Sequence, residues 1–332
     1  MSADKIIAEW KRKNFKPLYW LEGEEDYYID MVMDYAEHDI LNEAEAGFNL
    51  TVFYGKDAAW PDVINACRRY PMFAERQVVL LKEAQQMRDI DKLESYIENP
   101  LASTIFVVGH KEKTLDGRKG MAKLLKKNGA IFNFKKMYDN KLPEWTIDLV
   151  EQKGFSIAQK AVAVLVEHIG NDLNRIANEL DKVILNLGGQ KLITEDDIEK
   201  YVGVSKEYNV FELQDALGRK DMGKAMKIIR YFESNPKAGP IQMVLPALYN
   251  YFSKAYMLFS VQGKDDKTAA AAIGVNPYFI KDYQMVARNY SYSGVEQALL
   301  LLHHYNLRGV GVNDSGTPDA SLMKEMLVKI MN

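Results

Sequence analysis

Strand-like and helix-like segments alternate through the first 134 residues of this 332-residue chain, and then the strand signal all but stops. That switch limits the possible folds more than any other feature. Short runs rich in Val, Ile, Phe and Tyr lie at Leu18–Leu21, Leu50–Phe53, Val78–Leu81, Ile105–Val108 and Ile131–Phe134. Segments with helical spacing separate them, at Tyr27–Leu41, Trp60–Arg69, Ile90–Ile97 and Met121–Lys127. Strand alternating with helix predicts a wound α/β domain with a parallel sheet. The unbroken apolar runs "QVVLL" and "TIFVV" suit strands buried on both faces.

From Lys141 onward the pattern is helical. "LPEWTIDLVEQKG" puts Pro143 at a helix start and Gly154 just past its end. "SIAQKAVAVLVEHIG" predicts a helix capped by Ser156 and stopped by Gly170. Apolar residues at 173, 176, 177, 180, 183, 184 and 187 have the spacing of an amphipathic helix. "TEDDIEKYVG" follows, with Thr194 as N-cap and acids in the first turn that complement the helix dipole. Further helical segments run from Asn209 to a last helix ending near Met331, and their aromatic and Met stripes read as core or helix–helix contacts. The expected fold class is α/β plus all-α in three parts. These are a wound parallel-sheet domain over 1–140, a small helical domain over 141–208 and a helical bundle over 209–332.

Composition narrows the function. At 47% hydrophobic and 27% charged residues, with a net charge of −3, the chain has ample core and no global attraction to DNA or an acidic membrane. A single cysteine, Cys67, excludes an internal disulfide and a multi-cysteine metal site. The start, "MSADKIIAEWKRKNF", is too charged for a signal peptide, and no stretch reaches the apolar length of a membrane span. A cytoplasmic protein is expected.

The first strand runs into the turn of "KPLYWLEGEEDYYIDM", where an α/β domain usually takes a phosphate. A phosphate loop needs a glycine-rich backbone, a lysine, and a Ser or Thr for Mg²⁺. This turn offers Gly23 and the acids Glu22, Glu24, Glu25 and Asp26, which suit a helix N-terminus instead. At the end of the third strand Lys82 stands where a metal-binding acid would be, with Glu83 one step late. "GRKDMGKA" matches the phosphate-loop spacing from Gly218 but ends in Ala225 and follows a helix. Gly218 there reads as a residue just past a helix and Asp221 as the next N-cap. No nucleotide cofactor and no ATP hydrolysis are expected.

No catalytic or metal constellation stands out either. The histidines His38, His110, His168, His303 and His304 lack metal-ligand spacing, there is no G-x-S-x-G, and Cys67 reads as a small buried helix residue. No residue is assigned a catalytic, cofactor or metal role.

Two features point to partners. In "RRYPMFAERQVVLL" a helix stops before Pro71 and a strand begins near Gln77, leaving Met72 and Phe73 at the tip between them. They are either tucked under the sheet or displayed as an anchor rimmed by Arg69, Glu75 and Arg76. Between Lys111 and Lys136 there are nine Lys or Arg against two acids. Within it "KKNGAIFNFKK" makes Lys126, Lys127, Lys135 and Lys136 candidate DNA contacts, with a merely solvated face as the alternative.

"KPLYWLEGEEDYYID", "RRYPMFAERQVVLLKEA", "ANELDKVILN…ITEDDIEKYV" and "NVFELQDALGRKDMGKAMKII" together resemble the delta-subunit family of the bacterial DNA polymerase III clamp loader. The match runs in order from near the N-terminus to at least Arg230 and continues more loosely to "PYFIKDYQMVARNYS". The resemblance implies an AAA+-like chain of three domains: a nucleotide-binding-like domain, a helical lid and a C-terminal helical collar. It implies a subunit that does not itself hydrolyse ATP. Its task would be to bind and open the β sliding clamp for loading onto primed DNA, beside gamma/tau- and delta-prime-type subunits. In the family the apolar pair before the third strand enters a pocket on the clamp, which assigns that role to Met72 and Phe73, led by Pro71. The collar departs from the family pattern at "YNLRGVGVNDSG", where Asn306 stands near the acid position, so no collar contacts carry over. The rival readings are an AAA+-type ATPase with a divergent site and a DNA-binding helical adaptor.

Overall fold

In the computed structural model, which describes residues 2–128, 130–261, 263–314 and 316–332, the alternating segments form the expected parallel sheet. The chain separates into two units, one ending at Met137 and one beginning at Tyr138. The first contains, in order, α1 (Ala3–Lys11), β1 (Leu18–Gly23), α2 (Asp26–His38), α3 (Glu43–Asn49), β2 (Leu50–Tyr54) and α4 (Trp60–Cys67). It continues with β3 (Gln77–Lys82), α5 (Glu94–Ile97), β4 (Thr104–Lys111), α6 (Gly120–Lys127) and β5 (Ile131–Phe134). The strands pair in parallel in the order β2-β3-β4-β1-β5.

The period-2 alternation of strand side chains sorts them into two layers. Leu18, Trp20, Val79, Leu81, Phe106 and Val108 face one way and share a core with Val63 and Cys67 of α4 and Met121 and Leu125 of α6. Tyr19, Leu21, Val78, Leu80, Ile105 and Val107 face the other way, onto Ile6 and Trp10 of α1 and Ile29 and Val32 of α2. This double burial is why β3 and β4 read as continuous apolar runs. Helices α1 and α3 are additions to the sequence reading. The only buried residue of α3 is Asn49, so it has no apolar stripe to announce it.

Gly23 is needed for contact with its neighbour strand. Its φ is 131°, and a Cβ there would lie 2.1 Å from the Phe134 carbonyl oxygen of β5.

The second unit begins with α7 (Leu142–Gln152), β6 (Ser156–Ile157), α8 (Gln159–Ile169), α9 (Leu173–Asn186), β7 (Leu192–Ile193) and α10 (Glu195–Val202). Ser156 is not the cap of α8. Its backbone pairs in parallel with Leu192, and the helix starts after Ala158. Thr194 does cap α10: the Asp197 carboxylate accepts from the Thr194 backbone N–H at 2.8 Å and from its hydroxyl at 2.7 Å. Then come α11 (Val210–Gly218), α12 (Met222–Ser234), α13 (Ile241–Leu258), α14 (Asp266–Ile273), α15 (Ile280–Gly309, interrupted at Ser291) and α16 (Asp319–Met331). All but α14 share a core that includes Leu213, Phe232, Phe252, Tyr305 and Met326, while α14 packs through Ala269, Ala270 and Ile273 with Leu258 and Ile280.

Asp221 caps α12 as expected, accepting from the Lys224 N–H at 2.9 Å. Gly218 is a correction: it lies inside α11, and Lys220 takes the left-handed backbone instead, with φ 56°. A Cβ on Gly218 would approach the Tyr251 hydroxyl to 2.6 Å, so packing demands the glycine.

Candidate protein-binding tip

A parallel sheet has two chemically different edges. All strands begin at one and end at the other, and phosphates are usually bound outside the carboxyl ends. The acidic turn after β1 lies at the carboxyl edge. The tip before β3 lies at the opposite, amino edge, beside the start of β2.

At the carboxyl edge two of the acids are used internally. Glu22 and Glu25 are both buried. Glu22 Oε2 accepts the Leu115 N–H at 3.0 Å, and Glu25 Oε2 accepts the Met137 N–H at 3.2 Å, so they tie the segments after β4 and β5 to the end of β1 and the start of α2. Neither is explained by the helix dipole alone. Lys111 Nζ sits between Asp30 Oδ1 at 2.7 Å and Glu83 Oε1 at 2.9 Å. Burial works against its charge, but the hydrogen bonds to Asp30 and Glu83 outweigh it and hold its pKa above the ordinary lysine value. Burial also raises the Asp26 carboxyl, with Lys111 opposing. Lys82 is ion-paired with Glu37. A cleft of about 200 Å³ opens here, lined by Asp30, Asp34, Tyr54, Lys82, Glu83 and Lys111. Both of its lysines are already bound to carboxylates.

At the amino edge Phe73 is 93% exposed, Met72 53% and Tyr70 76%, while Pro71 is half-buried. The backbone beneath them is held by two buried amides. The Met72 N–H donates to Asn49 Oδ1 at 2.7 Å, and Asn49 Nδ2 donates back to the Met72 carbonyl at 2.9 Å and to the Glu45 carbonyl at 3.0 Å. Gln77 Nε2 shares its two hydrogens among the carbonyls of Ala66 at 3.1 Å and Arg69 at 2.5 Å, closing the end of α4, and Thr104 Oγ1 at 2.8 Å. Phe73 itself has φ 57°, a left-handed backbone that a bulky residue seldom adopts. On the rim Arg69 donates to Thr51 Oγ1 at 3.0 Å, Arg76 to the Ala102 carbonyl at 3.0 Å, and Glu75 is exposed. A fixed backbone carrying free apolar side chains can enter a preformed pocket at low ordering cost.

Asn49 and Gln77 escaped the sequence reading. The capping box of α3 was visible in the sequence: Asn42 Oδ1 accepts the Glu45 N–H at 2.9 Å, and Glu45 reaches back to the Asn42 N–H at 3.3 Å.

The four candidate lysines are all exposed but do not form one patch. Lys126 and Lys127 end α6 at the amino edge, whereas Lys135 and Lys136 follow β5 at the carboxyl edge. The strand between them spans about 13 Å at ~3.3 Å per residue.

Cys67 is buried, and burial pushes its thiol up, which suits a core residue. Among the described residues no group of three or more His, Cys, Asp or Glu is placed to hold a metal. Among them, too, no helix is long and apolar enough to cross a membrane.

Two family models match the chain: DNA polymerase III, delta subunit, over residues 19–135, and DNA polymerase III delta subunit, C-terminal domain, over 207–308. The chain is 26% identical over 293 residues to the DNA polymerase III subunit delta of Bacillus subtilis, covering 85% of this chain and 84% of that one. It is 24% identical over 284 residues to the probable DNA polymerase III subunit delta of Aquifex aeolicus, covering 80% and 77%. The solved Bacillus subtilis DNA clamp loader delta protein shares the fold, with a TM-score of 0.51, 24% identity and 99% of each chain covered. With a parallel α/β unit ahead of a helical one, and with both the amino-terminal and the carboxyl-terminal model matched, the chain belongs to the delta-subunit family of the DNA polymerase III clamp loader.

Proposed function

We propose that this clamp-loader subunit binds and opens the β sliding clamp through Met72 and Phe73, led by Pro71, so that the ring can be loaded onto primed DNA. The observation that carries the reading is the tip itself: an almost fully exposed Phe73 beside a half-exposed Met72, on a backbone held by buried amides. A wedge of this size shifts a ring between closed and open forms only if it binds the open form better.

The chain does this without hydrolysing ATP. Supporting that part are the acids at the turn where phosphates would sit and the engagement of Lys82 and Lys111 with carboxylates. The energy is supplied by gamma/tau-type subunits in a complex that also contains a delta-prime-type subunit, in the cytoplasm. We assign the AAA+-like domain to 1–140, the lid to 141–208 and the collar, which docks on the sister subunits, to 209–332. Exposed apolar side chains in the last segment, such as Leu300 and Val310, fit that docking role. DNA contact, if made by this chain, falls to the pairs Lys126–Lys127 and Lys135–Lys136 acting separately.

The test is binding of the purified chain to the sliding clamp of the same organism. Retention of the clamp by the wild type and its loss in Met72→Ala/Phe73→Ala supports the reading. Equal retention by both proteins rejects it.

A further inference from the structure

We infer that Asn49 is a positioning residue for the tip: its buried carboxamide fixes the backbone of Met72 and thereby sets the direction in which Met72 and Phe73 are presented. This rests on the clamp-binding reading and adds a residue that touches no partner.

Asn49 ends α3 with its side chain turned inward, 3% exposed, while the neighbouring Phe48 is 67% exposed. A carboxamide has one acceptor oxygen and one two-hydrogen donor, fixed in a plane. Here the oxygen takes the Met72 N–H and the nitrogen gives one hydrogen to the Met72 carbonyl and one to Glu45. Both backbone groups of a single residue are therefore satisfied by one side chain, as a neighbouring strand would satisfy them. No other side chain type of this length carries a donor and an acceptor in that arrangement. The fixation falls on the residue just before Phe73, whose left-handed φ of 57° needs support from its surroundings to persist. Pro71 restricts the chain on the other side of Met72. Without Asn49 the tip keeps its apolar side chains but loses their common direction, and the ordering cost returns on binding.

The experiment uses the full chain and two readouts. In Asn49→Ala, amide hydrogen exchange at Met72 accelerates while the amides of β3 and β4 stay protected. Clamp affinity falls by roughly tenfold, the scale of one or two net hydrogen bonds. The same substitution in a Met72→Ala/Phe73→Ala background changes the residual affinity little, because there is no anchor left to aim. Asn49→Asp keeps the acceptor and the shape but loses the donor; it carries the same test if the alanine variant does not fold. Unchanged affinity in the single variants, where Met72→Ala/Phe73→Ala does lose the clamp, overturns the positioning role and leaves the clamp reading intact. An equal loss in both backgrounds also overturns it, since that is the mark of general structural damage. If Met72→Ala/Phe73→Ala binds the clamp as the wild type does, the clamp reading fails first and the positioning role falls with it.

Discussion

The Glu22 carboxylate accepts a hydrogen bond from the backbone N–H of Leu115 at 3.0 Å. An acid thus sits inside the turn that would cradle a phosphate, and it is used by the chain itself. Glu25 does the same for Met137. These contacts fasten the segments after β4 and β5 to the end of β1 and the start of α2.

Two outcomes are expected at this edge. Calorimetry of the purified chain with Mg-ATP gives no binding heat, and micromolar binding at one site per chain would contradict the proposal. Glu22→Ala removes the partner of the part-buried Leu115 N–H, at a cost of about 1 kcal/mol. Its urea midpoint drops accordingly, whereas Glu22→Gln, which keeps an acceptor oxygen, unfolds much closer to wild type.

At the end of the second unit, acid should loosen the contact between α15 and α16. The Thr317 N–H donates to Asp314 Oδ1 at 2.7 Å and Arg308 Nε to its Oδ2 at 2.9 Å, and together they hold the Asp314 carboxyl down at about 2. Lys329, Tyr305 and Arg308 likewise hold Glu325 at about 2. Both folded-state values lie below the ordinary carboxylate range near 4. Their stabilisation is therefore present above that range and lost as pH falls towards about 2. Asp314→Asn should show a smaller loss of stability than wild type when denaturation is followed from pH 5 down to 2. An identical pH profile would show that the contact contributes nothing.

The two lysine pairs should act independently. They lie at opposite edges of the sheet, and sites more than about 10 Å apart usually add. If both meet DNA, Lys126→Glu/Lys127→Glu and Lys135→Glu/Lys136→Glu each weaken DNA binding in the assembled loader and each flatten its salt dependence. The combined variant then shows the sum. A combined effect no larger than either single pair would point to one shared contact.

What was legible in the sequence follows from locality. The strands were readable because burial on both faces leaves an apolar run, and α9 because its buried Leu173, Ile176, Leu180 and Val183 repeat with the helix. The tip was readable because Pro71, Met72 and Phe73 are adjacent in the chain. Asn49 was not, since its partner Met72 is 23 residues away and no periodic pattern connects them. Glu22 and Leu115 are 93 apart, and Glu25 and Met137 are 112 apart. Ser156 looked like a cap because its own neighbourhood suits one; its pairing with Leu192 is set by the fold. Gly218 looked like a helix stop because the space occupied by Tyr251 cannot be seen from Gly218.

The tip carries the sharpest expectation, because binding and stability should separate there. Met72 and Phe73 are exposed in the free chain, 53% and 93%, so removing them costs the fold little. Surface substitutions away from special features usually change stability by less than about 0.5 kcal/mol. Met72→Ala/Phe73→Ala should therefore melt within a few degrees of wild type. Full burial of a Phe and a Met in a clamp pocket stabilises the complex by roughly 1.5–3 kcal/mol each. Since about 1.4 kcal/mol is tenfold in affinity, losing both should weaken clamp binding by on the order of a hundredfold or more. Both measurements belong on the same protein. Lost binding with unchanged melting identifies the pair as the anchor. Unchanged binding removes it from the mechanism, and a large fall in melting temperature would mean that the pair supports the fold and that the loss of binding is indirect.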